Sequence, residues 1–218
     1  MKTNQDLKNA ALEALRGNWA PAVVCTIIYL LLSIGISLLQ PNIDDPTAAL
    51  TGVQKIMMVA YVLLLFLVMV PLGVGYYQAF KVLFTDGDNK LTANCFRLSF
   101  GNYFKNIAAY LLMCLFIFLW TLLLIIPGII KALAYSMTPF ILKDFPELSV
   151  NQAINLSQKM MKGHKFDYFW LGLSFIGWIL LGLLTLGIGY IWLIPYMYTS
   201  YAAFYEEVKK EYLENTTL

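Results

Sequence analysis

Few residues of this 218-residue chain are suited to covalent or metal chemistry. His164 is the single histidine, which excludes a histidine-rich metal site and makes any Ser-His-Asp arrangement depend on that residue. The sequence has no P-loop, no dinucleotide-binding glycine motif, no Gly-x-Ser-x-Gly and no His-Glu-x-x-His. The three cysteines are odd in number and two lie in apolar runs, so neither a disulfide framework nor a metal site is predicted. We therefore expect a protein that is not an enzyme and holds no cofactor.

A basic group is the most distinctive charged feature, and it consists of Lys159, Lys162, His164 and Lys165. Such groups attract anionic lipid headgroups by about 1 kcal/mol per residue near a membrane surface. The alternative is that these charges only fix the orientation of the chain in a membrane. Both interpretations stay open, and the four residues are candidate lipid-headgroup contacts.

Lys131 is the one charge deep in an apolar segment. Charges within a membrane are costly and usually functional, which makes Lys131 a candidate intramembrane functional residue. The alternative is that its long side chain extends to the outer membrane surface, because it lies just after the Pro127–Gly128 pair.

The composition indicates an integral membrane protein. Hydrophobic residues make up 60% of the chain, charged residues 13%, and the mean hydropathy is +0.67. Soluble proteins carry about 25% charged residues. The net charge of +2 is too small to imply a nucleic-acid partner. Residues 1–18 mix acidic and basic side chains without a cleavage-like site, so we predict that the first apolar run stays as an anchor.

Six apolar runs and three amphipathic segments predict an all-α, polytopic helical bundle. About 20 apolar residues cross a hydrocarbon core of about 30 Å, and only the fourth run is short enough to leave its full crossing open. The predicted spans are 19–39, 55–84, 105–126, 129–142, 167–186 and 190–205. The predicted amphipathic helices are 4–17, 91–100 and 149–162, the last beginning at a Ser149–Gln152 capping box. Proline breaks are expected at Pro71, Pro127 and Pro195.

The distribution of charge orients this bundle. Segments 1–18, 79–105, 143–167 and 206–218 contain 13 of the 15 lysine and arginine residues. The positive-inside rule places these segments, and with them both termini and the amphipathic helices, on the cytoplasmic side of a bacterial inner membrane. The alternative topology has five spans, merges 105–142 into one broken helix, and exposes the basic group outside.

The chain also shows the marks of a three-fold internal repeat. Each amphipathic segment precedes a hairpin of two apolar runs, and the three segments align at Gly17, Gly101 and Gly163. The helical face that this alignment predicts holds Leu7, Ala11 and Ala14; then Leu91, Cys95 and Leu98; then Ala153, Ser157 and Met160. We predict one membrane domain, 1–218, with repeats at 4–84, 88–144 and 147–206. The alternative is that any chain of membrane hairpins shows such similarity.

Several segments resemble an uncharacterised bacterial membrane family known as domain of unknown function 975. They include Leu-Leu-Ile-Ile-Pro-Gly-Ile-Ile-Lys at 123–131, Ser-Gln-Lys-Met-Met-Lys-Gly-His-Lys at 157–165 and Leu-Thr-Leu-Gly-Ile-Gly at 184–189. The family is distantly similar to the membrane domain of some glycerophosphodiester phosphodiesterases. This chain has no soluble phosphodiesterase domain, so the resemblance implies a membrane protein and no reaction.

Three functional hypotheses follow. The leading one is a non-enzymatic membrane module that binds lipids, with anionic lipid favoured, or a protein partner, and a homo-oligomer is left open. The second is a small-solute or lipid transporter or channel built on the hairpin repeat. The weakest is an intramembrane enzyme, which requires polar side chains to meet His164 around a cleft.

Overall fold

The computed structural model describes residues 2–42 and 49–216. Every regular element in these ranges is a helix, which confirms the all-α prediction. Asp44 and Asp45 of the predicted polar loop lie outside the described residues. The elements are α1 (Asn4–Leu15), α2 (Trp19–Ser37), α3 (Gly52–Leu64), a π-helical segment (Leu65–Met69), α4 (Val70–Asp86), α5 (Leu91–Gly101), α6 (Tyr103–Leu123), α7 (Ile125–Tyr135), α8 (Thr138–Asp144), α9 (Val150–Met160), α10 (Lys165–Leu173), α11 (Ile176–Leu184) and α12 (Tyr190–Thr216).

Local signals set several helix ends. Capping boxes start α1 at Thr3, α3 at Thr51 and α9 at Ser149, and the last of these was predicted. Gly87 ends α4 with a φ of 67°, a left-handed conformation that glycine adopts without strain.

The expected disturbance at Pro71 takes the form of the π-helical segment just before it. Pro71 is the second residue of α4, and a proline there cannot donate a hydrogen bond to the preceding turn. The turn from Leu65 to Met69 widens accordingly. α3, the π-helical segment and α4 therefore form one continuous stretch, Gly52–Asp86.

The predicted break at Pro127–Gly128 is misplaced. The chain turns at Leu124, which is extended with φ −161° and ψ 143°, and α7 begins at Ile125. Pro127 fits there because the first turn of a helix needs no donor from it. The fourth apolar stretch is consequently Ile125–Asp144, 20 residues long, instead of the predicted 129–142.

Five stretches of the described chain are long and apolar enough to cross a membrane, which supports a membrane location. They are Trp19–Ser37, Gly52–Asp86, Tyr103–Leu123, Ile125–Asp144 and Lys165–Leu184. The predicted sixth span, 190–205, is not among them. It forms the first part of α12, which runs without interruption through Pro195, where a break was expected, into the charged tail. The six-span arrangement thus stays a prediction.

The buried core lies toward one end of the bundle. Only 11–17% of the most apolar window is buried in four of the five stretches, whereas Ile125–Asp144 reaches 50%. Lipid tails are as apolar as leucine, so such exposed surfaces are normal inside a membrane. The fully buried large side chains include Leu7, Leu15, Tyr76, Phe80, Phe140, Phe175, Phe204 and Tyr205.

The three amphipathic helices pack in a circular order. α5 packs on α4, α9 on α7 and α8, and α1 on α12. α5 and α9 thus each pack on the helices that directly precede them in the chain, and α1 packs on the last helix, α12. The predicted faces point inward: Leu7, Cys95 and Ser157 are all buried. The repeat boundaries themselves stay a prediction.

Candidate functional site

A cavity of about 670 Å³ lies within the helical bundle, and six tyrosines line it. Each tyrosine comes from a different helix, namely α2, α4, α6, α7, α10 and α12. The remaining lining is mainly apolar, with Ser136 and no charged side chain. The cavity therefore brings six helices together around one neutral space. The six tyrosines are Tyr29, Tyr77, Tyr110, Tyr135, Tyr168 and Tyr198.

Irregular backbone shapes two walls of this cavity. The π-helical segment contributes Leu65, Phe66 and Met69, and π-helical turns recur at functional sites. Ser136 lies at the interruption between α7 and α8, where its hydroxyl donates to the Leu133 carbonyl. The π-helical segment before Pro71 and the break after Tyr135 thus both leave room inside the bundle.

Aromatic packing closes the inner end of the cavity. The Tyr77 and Tyr198 ring centroids are 4.5 Å apart, and Tyr77 meets Phe140 edge-on at 5.6 Å. Four other tyrosines of the described chain, outside the cavity, bond their hydroxyls to protein groups: Tyr76, Tyr103, Tyr190 and Tyr205. The six cavity tyrosines line the space with their side chains and are its main polar groups.

An ion-pair network lies below this aromatic layer and joins α4, α8 and α12. Lys81 pairs with Asp144 and lies 3.3 Å from Glu206, while Lys209 lies 2.8 Å from Asp144 and 2.7 Å from Glu206. The Tyr205 hydroxyl donates to Asp144 Oδ2 at 2.9 Å. The four charges balance, and the Lys81 and Asp144 side chains are only 6% and 11% exposed.

The electrostatics of the network follow from its geometry. Burial alone would lower the pKa of Lys209, but its hydrogen bonds to Asp144 and Glu206 and their negative charges raise that pKa above its usual value. Both carboxylates thus favour the charged lysine. Sequence reasoning missed this network, although charges at the same end of three apolar helices were a usable signal.

The predicted basic group lies at the same end of the molecule and away from the cavity lining. Lys159 and Lys162 are exposed, and Lys165 is half-buried. His164 is 15% exposed, with Nε2 3.1 Å from Glu211 and Nδ1 3.6 Å from Asp167. His164 therefore faces acidic side chains of the protein, and it does not line the tyrosine cavity.

Lys131 is held by protein groups. Its ammonium donates to Gln158 Oε1 of α9 at 2.9 Å and lies 4.8 Å from the Trp120 ring centroid and 5.9 Å from that of Tyr135. Cation–π contacts and a neutral amide thus stabilise this charge. Lys131 does not line the tyrosine cavity, so its predicted functional role has no ligand contact here.

Lys8 is a buried charge that the sequence interpretation overlooked. Its ammonium donates to the Ser174 carbonyl at 3.0 Å, at the carboxyl end of α10, and lies 4.4 Å from the Phe175 ring centroid. A cation there interacts favourably with the helix dipole. Burial lowers the pKa of Lys8. Its position beside Leu7 on the apolar face of α1 was the available signal.

Comparison with known proteins identifies the family of this chain but gives no activity. The family model described as "Protein of unknown function (DUF975)" matches residues 1–130 and 121–212. The chain therefore belongs to this family, which confirms the resemblance noted in the sequence. No curated protein and no solved structure matches the chain. The similarity to the membrane domain of glycerophosphodiester phosphodiesterases accordingly stays a prediction.

Proposed function

We propose that this member of a family of unknown function binds a neutral, lipid-like amphipathic molecule in the tyrosine cavity and catalyses no reaction. The observation that carries the proposal is that six different helices, α2, α4, α6, α7, α10 and α12, each contribute one tyrosine to one uncharged cavity. Ligand pockets typically measure about 300–1,000 Å³ and combine apolar walls with a few polar groups. Apolar walls suit an acyl chain, and hydroxyls suit an uncharged polar head.

Filling the cavity from Gly73 tests this proposal. Gly73 lines the cavity, and a Cβ there meets only the Tyr29 hydroxyl, at 3.6 Å. Gly73→Leu is therefore expected to fill space without displacing backbone. We expect a drop of at least tenfold in the amount of co-purifying neutral lipid, measured by mass spectrometry of the protein extracted with its lipids.

The matched control is Gly35→Leu, because Gly35 is exposed in α2 and a Cβ at this position would have no other atom within 4 Å. It makes the same change of residue type on a surface that faces lipid. Equal lipid retention by both variants and the unaltered protein would count against a ligand in the cavity.

The membrane placement is part of the proposal. We infer a bacterial inner-membrane location, with three hairpins and both termini on the cytoplasmic side. The ion-pair network and 13 of the 15 lysine and arginine residues belong to segments assigned to that side, which supports the orientation. The circular packing of α1, α5 and α9 supports three hairpins in parallel repeats.

The basic group gives a second, separable lipid contact. The exposed Lys159 and Lys162, with Lys165 beside them, are expected to hold anionic headgroups. Replacing all three by glutamine should lower the retention of anionic lipid, by up to about fivefold per lysine if each contributes about 1 kcal/mol. Native mass spectrometry in mixed anionic and neutral lipid measures the change.

Lys210→Gln serves as the control for that experiment, because the Lys210 side chain is 73% exposed but belongs to the carboxyl-terminal helix. Loss of anionic lipid in this control to the same extent would show a general effect of charge. It would contradict a specific contact at the basic group.

Transport of a small solute or lipid is the second candidate function. The observation that favours it is a cavity between three hairpins with an ion-pair network beneath it, since a solid apolar centre was the expected sign against transport. Flux into liposomes that contain the unaltered protein separates the two functions. Flux that Gly73→Leu abolishes indicates transport, whereas lipid retention without flux indicates a binding module.

A further inference from the structure

The turn between α11 and α12 is apolar and strongly exposed. The exposed fractions of Leu184, Leu186 and Ile188 are 78%, 94% and 60%. Thr185 is the single polar side chain between Gly182 and Gly189, and its hydroxyl donates to the Gly182 carbonyl. Three large aliphatic side chains exposed together are unfavourable in a turn that faces water.

The backbone of this turn satisfies its own donors. All nine consecutive N–H groups from Thr185 to Leu193 donate to acceptors within residues 181–189. Eight of these acceptors are carbonyls, and the ninth is the Thr185 hydroxyl, which accepts from Gly189 at 2.9 Å. Leu186 adopts a left-handed φ of 54° to complete the turn. Water would solvate such groups without help, whereas hydrocarbon cannot, so this pattern fits a lipid environment.

The depth of the turn can be measured from α1. Gln5, Asn9 and Glu13 are exposed on the polar face of α1, so α1 lies at the water boundary. Lys8 of α1 donates to the Ser174 carbonyl. From Ser174 to Leu184 the chain advances ten residues, or about 15 Å as a helix. A hydrocarbon core is about 30 Å thick, so this limb ends near its middle.

α2 provides a second measure. Trp19, the first residue of α2, lines one apolar cavity of about 400 Å³ together with Trp178 and Trp192. Trp192 lies three residues after Gly189 at the end of the turn. From the level of Trp19, α2 continues to Ser37, about 27 Å farther along its axis. The third hairpin thus turns back well before the first one does.

The loop of the first hairpin shows the contrast. Its described residues include Gln40, Asn42 and Thr51, and Gln54 Nε2 donates to the Asn42 carbonyl at 2.9 Å. This loop presents polar groups, as a segment that reaches water on the far side must. The two hairpin ends therefore differ in composition as well as in depth.

We propose that the third hairpin, α10 to α12, enters the bilayer from the cytoplasmic side and turns round within its hydrocarbon core. The partner of the exposed Leu184–Ile188 surface is the acyl chains at the middle of the bilayer. The first hairpin crosses fully. This proposal shares the membrane orientation given above but is independent of a ligand in the tyrosine cavity, because its test does not involve that cavity.

Single cysteines test the proposal in reconstituted membranes. The exposed native thiol is removed as Cys114→Ser, while Cys25 and Cys95 are buried and remain. Leu184→Cys and Leu186→Cys probe the turn, Thr51→Cys the first loop, and Lys210→Cys the carboxyl-terminal helix. Leu184→Cys still tests the proposal if the left-handed conformation at position 186 does not tolerate cysteine.

A membrane-impermeant maleimide is applied to vesicles from each side. We expect the maleimide to react with Thr51→Cys from one side and with Lys210→Cys from the other, and to react with Leu184→Cys and Leu186→Cys at least tenfold more slowly from either side. Reaction of the turn cysteines from the side of position 51 overturns the proposal, because the hairpin then crosses. Reaction from the side of position 210 also overturns it.

A nitroxide spin label attached to Leu184→Cys before reconstitution shows whether lipid or protein covers the turn. We expect frequent collisions with oxygen, which concentrates in hydrocarbon, and few with a water-soluble nickel complex. Low collision rates with both reagents indicate that protein covers the turn and overturn the proposal. Gly73→Leu should leave all these results unchanged, so failure of the cavity proposal and failure of this one are distinguishable.

Discussion

Asp144→Asn is expected to destabilise the fold by about 3–5 kcal/mol, the usual cost of leaving a buried charge without its partner. Asp144 contacts Lys81, Lys209 and the Tyr205 hydroxyl, and Lys81 is only 6% exposed. Asparagine keeps the shape but leaves two lysines to share Glu206. The midpoint of thermal unfolding in detergent should fall by about 10 °C, from about 2–4 °C per kcal/mol for a chain of this size.

Two further variants test whether the unbalanced charge causes this loss of stability. Lys210→Gln removes an exposed charge in α12, the helix that also carries Glu206 and Lys209, with its ion-pair oxygen 4.0 Å away, and should change stability by less than about 1 kcal/mol. Lys81→Gln combined with Asp144→Asn restores the charge balance, because Lys209 and Glu206 then pair with each other. Recovery of at least half of the lost stability is expected. A double variant less stable than Asp144→Asn would contradict the charge argument.

Gly75→Ala should also weaken the fold, here by about 3 kcal/mol, because α4 and α5 approach each other closely at this residue. A Cβ at Gly75 would lie 2.5 Å from the Cys95 carbonyl oxygen and 2.8 Å from the Ser99 nitrogen, and closer still to the Ser99 hydroxyl. Two of these obstacles are backbone atoms, so the helices must separate. Forcing extra volume into a packed site costs about 1–3 kcal/mol and occasionally more.

Gly35→Ala is the matched control and should have the opposite sign. Gly35 lies within α2, and a Cβ there meets nothing within 4 Å. Alanine in a helix interior is about 0.5–1 kcal/mol more favourable than glycine. Thermal unfolding of the two variants in the same detergent checks both signs. Equal unfolding temperatures for the two variants would show that the close approach at Gly75 does not limit stability.

The two stability predictions concern the same end of the molecule. Asp144 ties the ends of α4, α8 and α12 together, and Gly75 brings α5 onto α4. The tyrosine cavity adjoins this packed region, because Gly73, Val74 and Tyr77 of α4 line it on either side of Gly75. A rigid region beside loosely packed outer helices would suit the lipid binding that we propose, because the ligand would enter between helices that touch little.

Sequence alone determined the features that depend on near neighbours in the chain. Hydropathy indicated the membrane, and helical periodicity predicted inward faces that include Leu7, Cys95 and Ser157, which are buried. The Ser149 capping box begins α9 as predicted. Motif similarity identified the family. Each of these signals is local, because side-chain spacing along a helix and capping hydrogen bonds involve residues a few positions apart.

Only the tertiary structure decided which distant residues meet. Asp144 lies 63 residues from Lys81 and 65 from Lys209, and no local pattern pairs them. The cavity gathers six tyrosines from six separate helices, and no spacing in the sequence predicts that they meet. The turn at Leu124 was likewise visible only in the structure, and the shallow depth that we propose for α10 to α12 is argued from where α1 packs. Local propensity fixes the helices, whereas the depth and partners of each helix follow from packing between segments far apart in the chain.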